Sequence, residues 1–171
     1  LLEPYEDLSD TAGLVLEEVD DIEGTAEIAV KHGFQVNTHA IGDRGVRAKS
    51  TSQPWRDLFN TGAIVTNGTD VPVEPIDAIS SYYASVSRMM INGEKFYPEH
   101  AMTREEALQT YTLNNAIAAF EEDIKGTLTP GKFADIVVLS QDLLTVEEER
   151  IPQTTVDITI VGGEVKYRRG M

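Results

Sequence analysis

Two short stretches place side chains capable of metal and proton chemistry at the ends of predicted strands. In Phe34-Gln35-Val36-Asn37-Thr38-His39-Ala40-Ile41-Gly42-Asp43-Arg44, alternation puts Phe34, Val36 and Thr38 on one face, and His39 closes the strand before a glycine turn. In Ala63-Ile64-Val65-Thr66-Asn67-Gly68-Thr69-Asp70-Val71-Pro72, a second apolar strand leads to Asp70. Imidazole and carboxylate are divalent-metal donors, and a carboxylate beside a metal can also carry a proton. Parallel α/β proteins, barrels above all, hold such groups at the C-terminal ends of their strands. Spacing alone leaves the ordinary reading open: His39 as a plain strand-end residue before a Gly42-Asp43 turn, and Asp70 as a turn or helix-capping aspartate.

The elements around them follow from pattern. Residues 1–16 read as a loop. Asp20 or Asp21 can cap a helix over 21–32, with Ile22, Ala26, Ala29 and Val30 as its stripe and Gly33 as its stop. Strand 34–39 follows. Val46 to Gln53 is polar and without an apolar period, and a helix over 54–61 presents Trp55, Leu58 and Phe59 on one face. Gly62 ends it before strand 63–66. Two helix-to-strand units in succession predict parallel α/β architecture, with strands 34–39 and 63–66 parallel. Two prolines make 71–75 a stiff loop. A helix is expected within 77–90. Thr103-Arg104-Glu105-Glu106 matches the capping box of a helical tract over 103–122, divisible at Asn114-Asn115, with Ala107, Leu108, Tyr111, Ala118 and Phe120 largely buried. The tail changes character: strands 134–139, 156–161 and 164–167, the last two joined through Gly162-Gly163, form a small antiparallel sheet.

Composition narrows the function classes. The chain has 171 residues, 41% apolar and 25% charged, as a soluble globular protein has. Its net charge of −15 comes from 29 acidic against 14 basic residues and disfavours nucleic acid and acidic membranes as partners. The acids are dispersed, a pattern resembling the proteomes of salt-loving archaea. No apolar run is long enough for a membrane span, and no signal segment opens the chain. The absence of cysteine removes disulfides, thiolate zinc sites and thiol nucleophiles, and fits a cytoplasmic setting. The start at Leu1, without methionine, reads as a possible internal boundary.

Several stretches, in order, resemble the amidohydrolase superfamily of metal-dependent hydrolases, specifically the amidohydrolase 3 group with its N-substituted formamide deformylase-like and exoenzyme regulatory protein-like members. They are Thr38-His39-Ala40-Ile41-Gly42-Asp43-Arg44 and Gly68-Thr69-Asp70-Val71-Pro72-Val73-Glu74-Pro75. To these are added Met102-Thr103-Arg104-Glu105-Glu106-Ala107-Leu108 with Tyr111-Thr112-Leu113-Asn114, and the run from Lys125-Gly126-Thr127-Leu128 through Pro130-Gly131-Lys132 to Leu139. Leu1-Leu2-Glu3-Pro4-Tyr5 looks like the family's loop after barrel strand four. The resemblance covers nearly the whole chain but only the C-terminal portion of a family member. It implies an α/β fold: the C-terminal part of a (β/α)8 TIM-type barrel over 1–124, and part of a small antiparallel β-sandwich over 125–171. It implies a divalent metal, most simply Zn2+, as one or two ions in the complete family site. His39 would match the strand-five metal histidine. Asp70 would match the strand-eight aspartate, which binds metal and shuttles the proton between attacking water and leaving group.

The same resemblance shows what this stretch does not hold. The family's strand-one His-x-His and strand-four ligand would precede Leu1. His39 and Asp70 are 31 apart (70 − 39), whereas barrel strands five to eight should span about 90 residues at about 30 per unit. Roughly two units, with the strand-six histidine, are missing, and the joint is expected near 47–53. His32 reads as a helix-end residue and His100 as a loop residue, so neither rescues the site. Two functions from different classes follow. One is a hydrolase of amide, formamide or cyclic amide C–N bonds by descent, completed by a segment outside this stretch or by a homo-oligomer. The other is a non-catalytic remnant acting as a binding or regulatory module.

Overall fold

The computed structural model describes residues 4, 7, 9–14, 17–37 and 55–171. The chain divides into two compact units, Leu1–Pro54 and Trp55–Met171. In the first, helix α1 spans Val19–Lys31. It begins two residues earlier than the pattern predicts, at a Glu18 N-cap without a side-chain cap bond. Asp20 and Asp21 fall in its first turn, where carboxylates favour the positive end of the helix dipole. Gly33, at φ 79°, takes the left-handed conformation that stops the helix. Of the expected stripe, Ala26 and Ala29 are half-buried while Ile22 and Val30 are exposed. Residues 34–37 pair with no strand, which corrects the expected strand over its described part; Thr38, His39 and the 47–53 joint lie outside the described residues.

The second unit carries helices α2 (Trp55–Asn60), α3 (Ala78–Ser87), α4 (Arg104–Tyr111) and α5 (Leu113–Ala118). Asp77 caps α3 by accepting from the Ile79 and Ser80 amides, so its carboxyl is held below its ordinary range, chiefly by the Ser80 hydroxyl. The predicted capping box of α4 is present: Thr103 Oγ1 accepts from the Glu106 amide at 3.2 Å, and Glu106 Oε2 from the Thr103 amide at 2.7 Å. The tract breaks at Thr112, not at Asn114-Asn115, and ends at Ala118, with Phe120 at φ 57° and 72% exposed. Ala107 is buried as expected and Tyr111 half-buried, but Leu108, Ala118 and Phe120 are exposed.

The core of this unit joins α3 and α4 to the loops after β1. Tyr82 and Val86, one turn apart on α3, pack with Met102, Ala107, Leu143 and Ile151. Tyr82 also donates to the Arg104 and Leu143 carbonyls, and burial pushes its hydroxyl up to about 12. Burying Ile151 completely contributes about 2–3 kcal/mol. Strands β1 (Ile136–Leu139), β2 (Val156–Val161) and β3 (Glu164–Arg168) form a three-stranded antiparallel sheet in that order. Ile136 stands opposite Ile160 and Val138 opposite Ile158, with Gly162-Gly163 turning β2 into β3. The tail pattern is therefore reproduced, with β1 two residues shorter at its start.

The expected strand 63–66 is a correction. Residues 63–70 run without a strand partner among the described residues, so no parallel pair with 34–39 is present there. A parallel strand depends on neighbours distant in sequence, and the contacts that hold this segment come instead from α3, α4 and α5.

Candidate metal centre

Asp70 stands at the end of this unladdered segment, and side chains hold the segment in place. Asn114 Nδ2 donates to the Val65 carbonyl at 2.8 Å and Asn115 Nδ2 to the Asn67 carbonyl at 3.1 Å. The Asn67 amide donates to the Thr110 carbonyl at 3.2 Å. Val65 and Asn67, two residues apart, are thus both met by groups of α4 and α5, whose side chains and carbonyl take the place a neighbouring strand would fill.

The Asn67 side chain is tied to α3. Asn67 Nδ2 donates to Ser85 Oγ at 2.7 Å, and Ser85 Oγ donates to the Ser81 carbonyl at 3.0 Å. Ser81 Oγ donates to the Gly68 carbonyl at 3.2 Å and accepts from the Tyr111 hydroxyl at 2.5 Å. Burial pushes the Tyr111 hydroxyl up, against the lowering effect of Ser81, which keeps it a donor. Ser81 and Ser85, one helical turn apart, present both hydroxyls to the segment.

Beyond this brace the chain turns sharply. Asp70 has φ 56°, a left-handed conformation that aspartate enters more readily than most residues. Its carbonyl accepts from the Val73 amide at 2.9 Å and the Glu74 amide at 3.3 Å, which reverses the chain immediately after it. Asp70 is exposed, and its carboxylate takes part in no hydrogen bond or ion pair among the described residues. A free, hard oxygen donor at the end of a braced segment fits one coordination position of a divalent cation. Among the described residues no group of three or more histidine, cysteine, aspartate or glutamate side chains gathers to hold a metal. His39, the other predicted ligand, lies outside the described residues. His100 is buried, with Nδ1 3.9 Å from an Asp57 oxygen, and joins no such group. His32 is the residue that caps the C-terminus of α1, as its place beside Gly33 predicts.

Sequence reasoning missed the brace. Asn114 entered through the family pattern and Asn114-Asn115 as a helix breaker, neither of which named the segment they hold, and the Ser81/Ser85 spacing carried a usable signal without naming a target. A groove of about 950 Å3, lined among others by Leu108, Ala116, Phe133 and Val138, lies between α4–α5 and β1 and does not include Asp70.

The sequence profile of the amidohydrolase family (Amidohydro_3) matches residues 16–167. The chain belongs to the amidohydrolase family. It is 25% identical over 122 residues to the protein YtcJ of Bacillus subtilis strain 168, covering 70% of this chain and 23% of that one. It is 28% identical over 116 residues to the N-substituted formamide deformylase of Arthrobacter pascens, covering 68% and 21%. The chain thus spans less than a quarter of the length of these curated relatives. A solved structure described as a metal-dependent hydrolase from Pyrococcus horikoshii OT3 superposes with a TM-score of 0.61 at 23% identity, covering 86% of this chain and 42% of that one. That likeness shows the fold, a TIM-barrel-type hydrolase fold shared in part.

Proposed function

We propose that this chain is the C-terminal portion of a metal-dependent hydrolase acting on C–N bonds of amide, formamide or cyclic amide substrates. The observation that carries the reading is Asp70: a carboxylate unpaired among the described residues, at the end of a braced segment, in a chain whose family match runs through it. Asp70 would bind the metal and act as general acid/base, and His39 would be a second ligand. When bound, a divalent cation such as Zn2+ lowers the pKa of water toward neutrality and polarises the scissile carbonyl. Asp70's own part is to take the proton from the attacking water and return it to the leaving nitrogen, which needs a carboxylate free of other partners. The segment's amide and hydroxyl brace limits how far that carboxylate can wander.

The fold in this reading is the later part of a (β/α)8 barrel with part of a β-sandwich, and the sheet β1–β3 supplies the sandwich strands. The remaining ligands would come from a complementing N-terminal segment or a second copy. The substrate is a small amide-type molecule, with nucleic acid and membranes disfavoured by the charge of −15 and the setting cytoplasmic. No described helix is long and apolar enough to cross a membrane.

Turnover of a panel of N-substituted formamides, linear amides and cyclic amides tests the proposal. The 171 residues alone, with two ligands, are expected to hold a divalent metal weakly and to show no appreciable hydrolysis with added Zn2+. The chain completed with the N-terminal barrel segments and strand-six histidine of the family pattern is expected to bind metal tightly and turn over, and Asp70→Asn to abolish turnover with the fold intact. Near-unaltered turnover by Asp70→Asn would remove Asp70 from the reaction.

A further inference from the structure

We infer that Asn114 and Asn115 are positioning residues for Asp70, acting through the backbone carbonyls they hold. The inference rests on the reading of Asp70 as a metal ligand and deepens it. Their amide nitrogens grip Val65 O at 2.8 Å and Asn67 O at 3.1 Å, two acceptors two residues apart in one segment. Both side chains are partly buried on the first turn of α5. Gly126 fixes the depth of that turn, since its Cα hydrogen faces Ala116 and Leu113 where a Cβ would come within 2.7 Å and 3.1 Å. Only Gly68 and Thr69 lie between Asn67 and Asp70, and the Gly68 carbonyl is held by Ser81. A shift of α5's amides therefore has little slack to disperse before it reaches the carboxylate. Groups that orient a metal ligand without touching the metal commonly change metal affinity by about 10- to 100-fold. Asparagine suits the task because its two N–H donors serve a carbonyl without adding a charge that competes for the cation.

The test is a Co2+ titration of the isotopically labelled whole chain, following the paramagnetic shift of the residue-70 side-chain carbonyl carbon, with dipolar couplings of the Gly68–Asp70 amides recorded without metal. Asn114→Ala and Asn115→Ala are each expected to raise the Co2+ midpoint at residue 70 about tenfold or more and to change those couplings. Asn115→Ser serves if the alanine variant does not fold. Thr103→Ala, which breaks the α4 capping box and lowers stability without touching the segment, is expected to leave midpoint and couplings unchanged. A merely structural role for the asparagines would make all these variants track thermal stability alike. Unchanged midpoints in both asparagine variants, with the response abolished by Asp70→Asn, would overturn the inference and leave Asp70 as the ligand. A response that survives Asp70→Asn, or none in the unaltered chain at millimolar Co2+, would overturn the ligand reading and the inference with it.

Discussion

The Asp70-bearing segment and the C-terminal sheet lie in the same unit, yet their backbones are held by different chemistry. In the sheet, β1, β2 and β3 satisfy one another through backbone ladders, and the Gly162-Gly163 turn brings the partners together locally. In residues 63–70 the backbone is met by two asparagine amides and one helix-terminal carbonyl. An antiparallel hairpin carries its partner with it; a strand of a parallel sheet must borrow one from far along the chain. In residues 63–70 the helices that follow supply the hold.

The largest way to disturb this contrast is through Gly126. Gly126→Ala puts a Cβ 2.7 Å from that of Ala116 at a φ of 90°, so α5 must move away and carry both amides with it. A loss of about 3 kcal/mol is expected in chemical denaturation, with amide shifts spreading to residues 65–68 and sparing β2–β3. A smaller break is Ser85→Ala. Ser85 is buried and accepts from Asn67 Nδ2, so its loss leaves a polar group short of a partner and should cost about 1–2 kcal/mol by the same measurement.

How much of this was legible in the sequence follows from the same contrast. The tail strands and their turn were readable because alternation and a Gly-Gly connection are local signals. The α4 capping box was readable for the same reason. Strand 63–66 was misread because periodicity reports which faces are apolar but not whether a partner strand is present. The brace stayed hidden because Asn114, Asn115 and Ser85 meet the segment across 18 to 49 residues of chain, and no spacing rule reaches that far. Phe120 was expected inside and stands outside because its left-handed backbone ends the helix and turns the ring away from the core.

A pH dependence gives a smaller effect confined to the helical side. Arg56 donates to both Glu106 oxygens, at 2.7 and 2.6 Å, and together with the capping box holds that carboxyl down to about 2. A lowered folded-state value means the stabilisation is complete above the ordinary 4.5 and is lost as pH falls toward 2. Because both groups are partly exposed, about 1 kcal/mol is expected between those limits. Glu106→Gln, which keeps the cap acceptor, should flatten that part of the stability–pH curve. Smallest is Thr159→Ala at the centre of β2, where the ladder survives and about 0.5 kcal/mol is expected.

Hydrogen exchange in the double variant Asn114→Ala/Asn115→Ala tests the contrast most directly, because it reads the two regions in one sample. The Asn67 amide, bonded to the Thr110 carbonyl, should lose its protection, while the amides of Val156–Val161 keep theirs. Protection at Asn67 undiminished in that variant, or lost equally in β2, would contradict a segment held at Asp70 by those two side chains.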